Sequence, residues 1–282
     1  MITSTEISSL SKIVGEERAV ELVAKAGFDA FDFSLFPMWK WDFKNSVLLP
    51  NDHPLSGKDY LAFARKIKQI GLDNGIVCNQ SHAPFPTKLV GRDLILRAIE
   101  CTAEAGGKIC IVHPDNYSSP EQNAEMYSEL LPFAKQCGVK IATENMFNWD
   151  RLYGHPLPAA CSSPKCFVDH LKAVDDPYFV ACLDLGHAEL FGCNTSAVEM
   201  IEAIGDKLEA LHIHDNDKNH DNHQIIGAGV MDYPLIAKTL KKNGYKGCYT
   251  LESNAYLQAN GYTDENVLDG MKKLRASLSV FE

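Results

Sequence analysis

Leu211-His212-Ile213-His214-Asp215-Asn216-Asp217 decides how the rest of the chain is read. It is a short apolar run that ends in two histidines and several acids. Residues two apart on a strand point to the same face, so His212 and His214 are expected to aim at one place. Asp221 and His223 follow in the next loop. Two histidines backed by carboxylates at a strand end predict a divalent-metal site, provided that other strands deliver matching ligands. The alternative is a polar loop whose histidines satisfy only backbone groups.

Outward from this stretch, strand-like apolar runs alternate with amphipathic helical patterns. Strands are predicted at 1–5, 28–35, 75–79, 108–112, 139–143, 179–183, 208–213 and 247–251. Helices are predicted at 16–26, 58–70, 91–105, 121–137, 164–174, 195–204, 233–242 and 264–278. Uninterrupted β-α alternation implies a parallel sheet, and eight units predict an α/β fold, a single-domain (β/α)8 TIM barrel over 1–282. A doubly wound open sheet is the alternative. Two long segments stand out. One, 36–55, carries Trp39, Trp41 and Phe43; the other, 146–160, carries Trp149, Arg151 and Tyr153. Loops of that length are expected to be functional, the first as a lid.

The chain has 282 residues, 45% hydrophobic and 23% charged, which fits an ordered globular protein. No apolar run reaches the roughly 18 residues that span a bilayer, and 1–14 lacks a signal-peptide pattern. The nine cysteines fall mostly in strand-like contexts (Cys78, Cys110, Cys182, Cys248), as reduced buried thiols of a cytoplasmic protein would. Cys161 and Cys166 match no zinc spacing. With 37 acids against 27 bases the net charge is −10, which disfavours nucleic acid as a partner.

Each of the last six predicted strands ends in a potential ligand: His82, His113, Glu144, Asp184, His214 and Glu252. In a (β/α)8 barrel these ends converge on one rim, with His187, Asp221 and His223 in adjoining loops. Carboxylates and imidazoles without a nearby thiol suit Mn2+, Zn2+, Co2+ or Fe2+. An ion chelating a carbonyl and its neighbouring hydroxyl would acidify the C–H between them. Glu144 and Glu252, three strands apart, are the candidate catalytic bases. Trp39, Trp41, Trp149 and Tyr256 are candidates to stack on a sugar's apolar face. Only Arg151 and Lys218 are near the rim to clamp a phosphate, so the expected substrate is a non-phosphorylated sugar, inositol derivative or hydroxy-ketone.

Five stretches carry a family resemblance: Glu144-Asn145-Met146, Leu183-Asp184-Leu185-Gly186-His187, Leu211-His212-Ile213-His214-Asp215-Asn216, His223 with Gly227 to Tyr233, and Leu251-Glu252. With them the chain resembles the xylose-isomerase-like TIM barrels over nearly its full length. That superfamily includes sugar isomerases and epimerases, inosose dehydratase and the endonuclease IV family. The resemblance implies one divalent ion held by Glu144, Asp184, His214 and Glu252, with the two glutamates doubling as acid and base. His214 is preferred to His212 because Asp217 follows it by three residues, although Asp215 follows His212 at the same spacing. Substrate contacts are expected from His82, His113, His187, His212, His223, Trp39 and Arg151. The implied activity is isomerisation or epimerisation of a small sugar or keto-sugar, with homo-oligomerisation left open. A lyase or dehydratase on a keto-sugar or inosose is the first alternative. The second is an endonuclease IV-like trinuclear zinc site, with further metal through His82, His113, His187, Asp221 and His223.

Overall fold

Eight parallel strands follow one another around a barrel, and the side chains alternate between its interior and a surrounding layer of helices. The computed structural model describes residues 1–282 apart from the side chain of Asn254. The strands are β1 (Thr3–Glu6), β2 (Ala30–Ser34), β3 (Val77–His82), β4 (Ile109–Ile111), β5 (Lys140–Glu144), β6 (Phe179–Asp184), β7 (Leu208–His212) and β8 (Tyr249–Leu251). Their order in the sheet is β7-β6-β5-β4-β3-β2-β1-β8, all parallel. The ring closes through a parallel bridge between Ile213 and Leu251, where Ile213 N–H donates to Thr250 O at 2.9 Å and Glu252 N–H to Ile213 O at 2.8 Å. The expected single (β/α)8 barrel is therefore the observed fold, closed at the stretch that carries the histidines.

The helices match the amphipathic runs: α1 (Glu16–Lys25), α2 (Tyr60–Asp73), α3 (Arg92–Ala105), α4 (Pro120–Cys137), α5 (Pro164–Val174), α6 (Ala197–Ile204), α7 (Tyr233–Lys242) and α8 (Val267–Ser277). Their starts are chemically marked. Ser119 forms a capping box with Gln122 ahead of Pro120, and Ser163, Ser196 and Asp232 accept N–H groups at the starts of α5, α6 and α7. Short helices at Ser8–Val14 and Asn254–Ala259 were not expected from the sequence.

The two long segments are not structureless. In 36–55, Trp41–Asp42 pairs antiparallel with Val47–Leu48, and in 146–160, Phe147–Asp150 pairs with His155–Pro158. An aspartate makes each turn: the Asp42 carboxylate accepts the N–H groups of Lys44 and Asn45, and Asp150 those of Leu152 and Tyr153. The alternations Trp39-Lys40-Trp41-Asp42-Phe43 and Phe147-Asn148-Trp149-Asp150 carry the period-2 signal of these short strands.

Strand period 2 sorts the barrel residues. Ile141, Phe179, Leu183, Leu208, Leu211 and Leu251 join the buried layer beneath the helices. Ile111, Ala142, Val180, Cys182 and Ala210 form a separate small cluster inside the barrel. Continuing those inward positions by two residues reaches Glu144, Asp184 and His212. The β6–β7 pairing shifts register between Ala181 and Cys182, which brings Asp184 opposite His212. Without that shift His212 would turn away from the interior.

Beyond the strand ends, Asn145 continues the pairing with its side chain. Its Oδ1 accepts Asp184 N–H at 2.8 Å, and its Nδ2 donates to Asp184 O at 2.9 Å. Asn145→Ala leaves both buried backbone groups without partners. A loss of about 2–6 kcal/mol is expected in urea unfolding, at about 1–3 kcal/mol per unsatisfied group. A change under about 0.5 kcal/mol would refute this bracing role.

Candidate metal centre

Potential ligand atoms from Glu144, Asp184, His212 and Glu252 lie within 4.8 Å of one another. Glu144 is the hub. Its Oε1 is 2.9 Å from His212 Nδ1, and its Oε2 is 3.1 Å from His113 Nε2 and 3.6 Å from His82 Nε2. Glu252 Oε2 approaches the same His212 Nδ1 at 3.3 Å. His212 thus groups with these three carboxylates, whereas the sequence reading preferred His214 as the ligand beside them. The strand ends at His212, and the chain beyond it turns into the closing bridge, so the two histidines serve adjacent places.

His214 instead joins His187, Asp221 and His223, a second group whose ligand atoms also lie within 4.8 Å of one another. Its Nε2 is 3.1 Å from Asp184 Oδ1 and 3.4 Å from Asp221 Oδ1, and its ring stacks on His223 with centroids 3.9 Å apart. Asp221 Oδ2 is 2.9 Å from His223 Nε2 and 3.4 Å from His187 Nε2. Gly186 makes room for this ring, because a Cβ there would meet the His214 imidazole at 2.0 Å.

The groups fit a divalent cation on three observations. First, both ring nitrogens of His214, Asp184 Oδ2 and Asp221 Oδ1 are buried without a hydrogen-bond partner. Buried polar atoms are seldom left so. Second, the ion pairs of Glu144, Asp184 and Asp221 are all with imidazoles, with no Lys or Arg among them. Third, three of the six imidazoles are anchored by one nitrogen on a backbone carbonyl: His82 Nδ1 on Ala83 O, His187 Nδ1 on Asn145 O and His223 Nδ1 on Glu252 O. That arrangement is the usual one for metal-ligating histidine.

The electrostatics follow from the same packing. Burial pushes Glu144 up, but the His212 imidazole and the bonds from His113, His212 and His82 hold it well below the usual carboxylate range. Burial acts likewise on Asp184, which His187 and His214 bring down to about 2. Burial lowers His223, yet Asp221 lifts it to about 10, and carboxylates hold His187 and His212 well above the ordinary imidazole value. His113 goes the other way, to about 4, through burial and the neighbouring His82. A thiol is closer than the sequence suggested, since Cys182 groups with Glu144 and His212. Burial raises it, so it stays a neutral thiol.

A cleft of about 300 Å3 opens over both groups, lined by His82, His113, Glu144, His187, Asp221, His223 and Glu252. Its apolar wall is Phe36, Phe85, Met146 and Phe147. The aromatic candidates from sequence do not line it. Trp39 packs against the hydrophobic core and stacks on Trp41, Trp149 contacts His220, and Arg151 is exposed in a hairpin turn. Phe36 and Phe85 were missed, although each lies within a few residues of a strand's C-terminal end. Asp32 was also missed; it is an acid between two phenylalanines in β2, and its Oδ2 lies 3.1 Å from His212 Nε2. A larger cleft of about 480 Å3 at the opposite end of the barrel is lined by Asn79, Glu209 and Tyr245. Among the described residues, no group of potential metal ligands falls there.

The family description "xylose isomerase-like TIM barrel" matches residues 20–277, and the chain belongs to that family. An uncharacterized protein of Methanocaldococcus jannaschii, MJ1311, is 29% identical over 191 residues, which is 61% of this chain and 63% of that protein. The chain thus spans less than two-thirds of that relative. L-ribulose-5-phosphate 3-epimerase UlaE of Escherichia coli is 23% identical over 75% of this chain and 77% of its own. Among solved structures, a D-tagatose 3-epimerase-like protein superposes with TM-score 0.72 at 19% identity, covering 100% of this chain and 98% of that one. The IolI protein, solved with a bound zinc atom, gives TM-score 0.72 at 17% identity with the same coverage. These two likenesses establish shared fold. No helix is long and apolar enough to cross a membrane.

Imidazoles held above their ordinary range keep protons that a metal ion must displace. Affinity for Zn2+ is therefore expected to rise with pH between about 6 and 8, with roughly one proton or more released per ion. Calorimetry in buffers of different ionisation enthalpy counts those protons. A binding heat and affinity independent of buffer and pH would contradict the arrangement.

Proposed function

We propose that the chain is a divalent-metal-dependent isomerase or epimerase acting on a small sugar, keto-sugar or related polyol. The observation that carries this reading is the pair of carboxylates, Glu144 and Glu252, flanking His212 Nδ1 at 2.9 and 3.3 Å beneath a 300 Å3 cleft. Glu144, Asp184 and Glu252, with His214 or His212 as the nitrogen ligand, would hold the ion, which when bound would polarise a substrate carbonyl and acidify the neighbouring C–H. Glu252 and Glu144 then take the proton from one face and return it to the other face or the adjacent carbon. His82, His113, His187 and His223, which line the cleft, would hydrogen-bond substrate hydroxyls. Phe36 and Phe85 supply the apolar surface that Trp39 was expected to supply.

The relatives' names agree with this class: one acts on L-ribulose 5-phosphate, another is similar to a D-tagatose 3-epimerase. A non-phosphorylated substrate is the better fit, because Lys218 is paired with Glu189 at 2.7 Å and Arg151 is exposed away from the cleft lining. Dehydration is the neighbouring outcome, since loss of a hydroxyl from the same deprotonated carbon would make a lyase. One observation favours a different reading. The second group, His187, His214, Asp221 and His223, adjoins the first, and His82 with His113 flanks Glu144. Those residues could hold further metal, as a phosphodiester-cleaving site would.

Glu252→Gln is expected to lower solvent-deuterium incorporation into a turned-over ketose at least 100-fold, read by NMR. Unchanged exchange would remove Glu252 as a base. Incubation with a panel of ketoses, inososes and keto-sugars in D2O separates exchange from water loss. Nicking of abasic-site DNA, with no exchange on any sugar, would overturn the isomerase reading in favour of the nuclease.

A further inference from the structure

We propose that His212 is a positioning residue for the two flanking glutamates: it spends both ring nitrogens on carboxylates, and so sets where Glu144 and Glu252 stand around the ion without ligating it. This rests on the metal-dependent reading above. His212 ends β7 and is fully buried. Its Nδ1 lies 2.9 Å from Glu144 Oε1 and 3.3 Å from Glu252 Oε2, and its Nε2 lies 3.1 Å from Asp32 Oδ2. An ionised carboxylate can only accept, so the ring donates on both sides. His214 is the contrast, since neither of its ring nitrogens has a hydrogen-bond partner among the described residues.

The far end of this crossbar is itself fixed. Phe31 and Phe33 face the helices, which leaves Asp32 on the barrel interior at 1% exposure. The β2–β3 pairing shifts register between Phe31 and Asp32, and the shift brings Gln80 opposite Asp32. Gln80 Nε2 donates to Asp32 Oδ2 at 2.8 Å, and Gln80 Oε1 accepts from Asn79 Nδ2 at 3.0 Å. The amide is thus oriented from one side, and the carboxylate is held in place for His212. The His82 ring lies alongside that of His212, 8° from parallel with centroids 5.5 Å apart. The His212 ring cannot rotate without breaking a charge-assisted bond at each end.

The need for such a crossbar follows from the strand positions. Glu144 ends β5 and Glu252 follows β8, three strands further round the barrel, so two like charges are brought to one place. They repel in the buried interior. An N–H set between them offsets that repulsion and fixes their separation. A carboxylate has about four lone-pair sites, so receiving one N–H from His212 does not use up either glutamate as a ligand. Partners behind the ligands orient them in just this way, and losing one typically weakens metal binding by about 10–100-fold.

Two measurements test this. In the first, protein carrying 15N-labelled histidine is loaded with 113Cd2+, and scalar coupling between the two nuclei marks each ligating imidazole. The His212 signals, assigned by their loss in His212→Asn, are expected to show no coupling; coupling at either of its nitrogens would refute the proposal. In the second, Co2+ affinity is read by competition against a chromogenic chelator. His212→Leu is expected to weaken binding by about 10–100-fold. His212→Asn, which keeps an N–H near the place of Nδ1, is expected to bind at least about threefold more tightly than His212→Leu. A space-filling role predicts the reverse order, because leucine suits a buried site better than asparagine, so an equal or reversed order would refute positioning. Should His212→Leu not fold, Asp32→Asn takes its place: loosening the far anchor is expected to weaken Co2+ binding at least about threefold, and an unchanged affinity would refute the proposal. A wild type that binds neither Cd2+ nor Co2+ overturns the metal-dependent reading itself, an outcome distinct from variants that bind normally.

Discussion

One carboxylate gathers the site. Glu144 meets His212 with one oxygen and His113 and His82 with the other, so that three strand ends and β5 converge on a single buried anion. Its burial is unfavourable by itself, and only the ring of imidazoles around it holds the charge in place. The barrel's closing bridge, the register shift between β6 and β7 and the Asn145 brace all bring groups to within a few ångströms of that anion. Positive partners come only as histidines, which exchange protons for metal near neutral pH. An arginine or lysine in their place would have made the pairs permanent and left no work for an ion.

The interior of the barrel is divided to match. Ile111, Ala142, Val180, Cys182 and Ala210 fill one part with small and branched side chains. On the β1–β3 and β8 side, Ser4, Asn79, Gln80, Asp32 and Thr250 form a hydrogen-bonded polar network instead. A carboxylate–histidine pair survives in a low-dielectric interior only where such a network supplies its remaining bonds. The polar half of the barrel is therefore the foundation on which His212 stands, and the apolar half provides the packing that keeps it dry.

Much of this was legible in the chain. The strand–helix alternation gave the barrel because eight apolar runs are each followed by an amphipathic one, and ligand types at six strand ends marked the rim. Which of the two ligand groups each of His212 and His214 joins was not legible. It depends on a register shift at Ala181–Cys182 and on the chain turning after His212, neither of which has a local sequence signal. Trp39 and Arg151 were expected at the site from their chemistry, yet the two long segments reach the cleft through Phe36, Met146 and Phe147, with Trp39 packed in the core and Arg151 exposed in a hairpin turn. Asp32 had a signal, an acid between two phenylalanines in a predicted strand, and strand alternation applied to it would have placed it inside.

The account stands on where the first ion binds. Anomalous scattering from crystals of the protein grown with Zn2+ locates it directly. The expected peak lies about 2.0–2.1 Å from a nitrogen of His214 or His212, among the carboxylates of Glu144, Asp184 and Glu252. A peak held only by His187, Asp221 and His223, or no peak near Glu144, would contradict it.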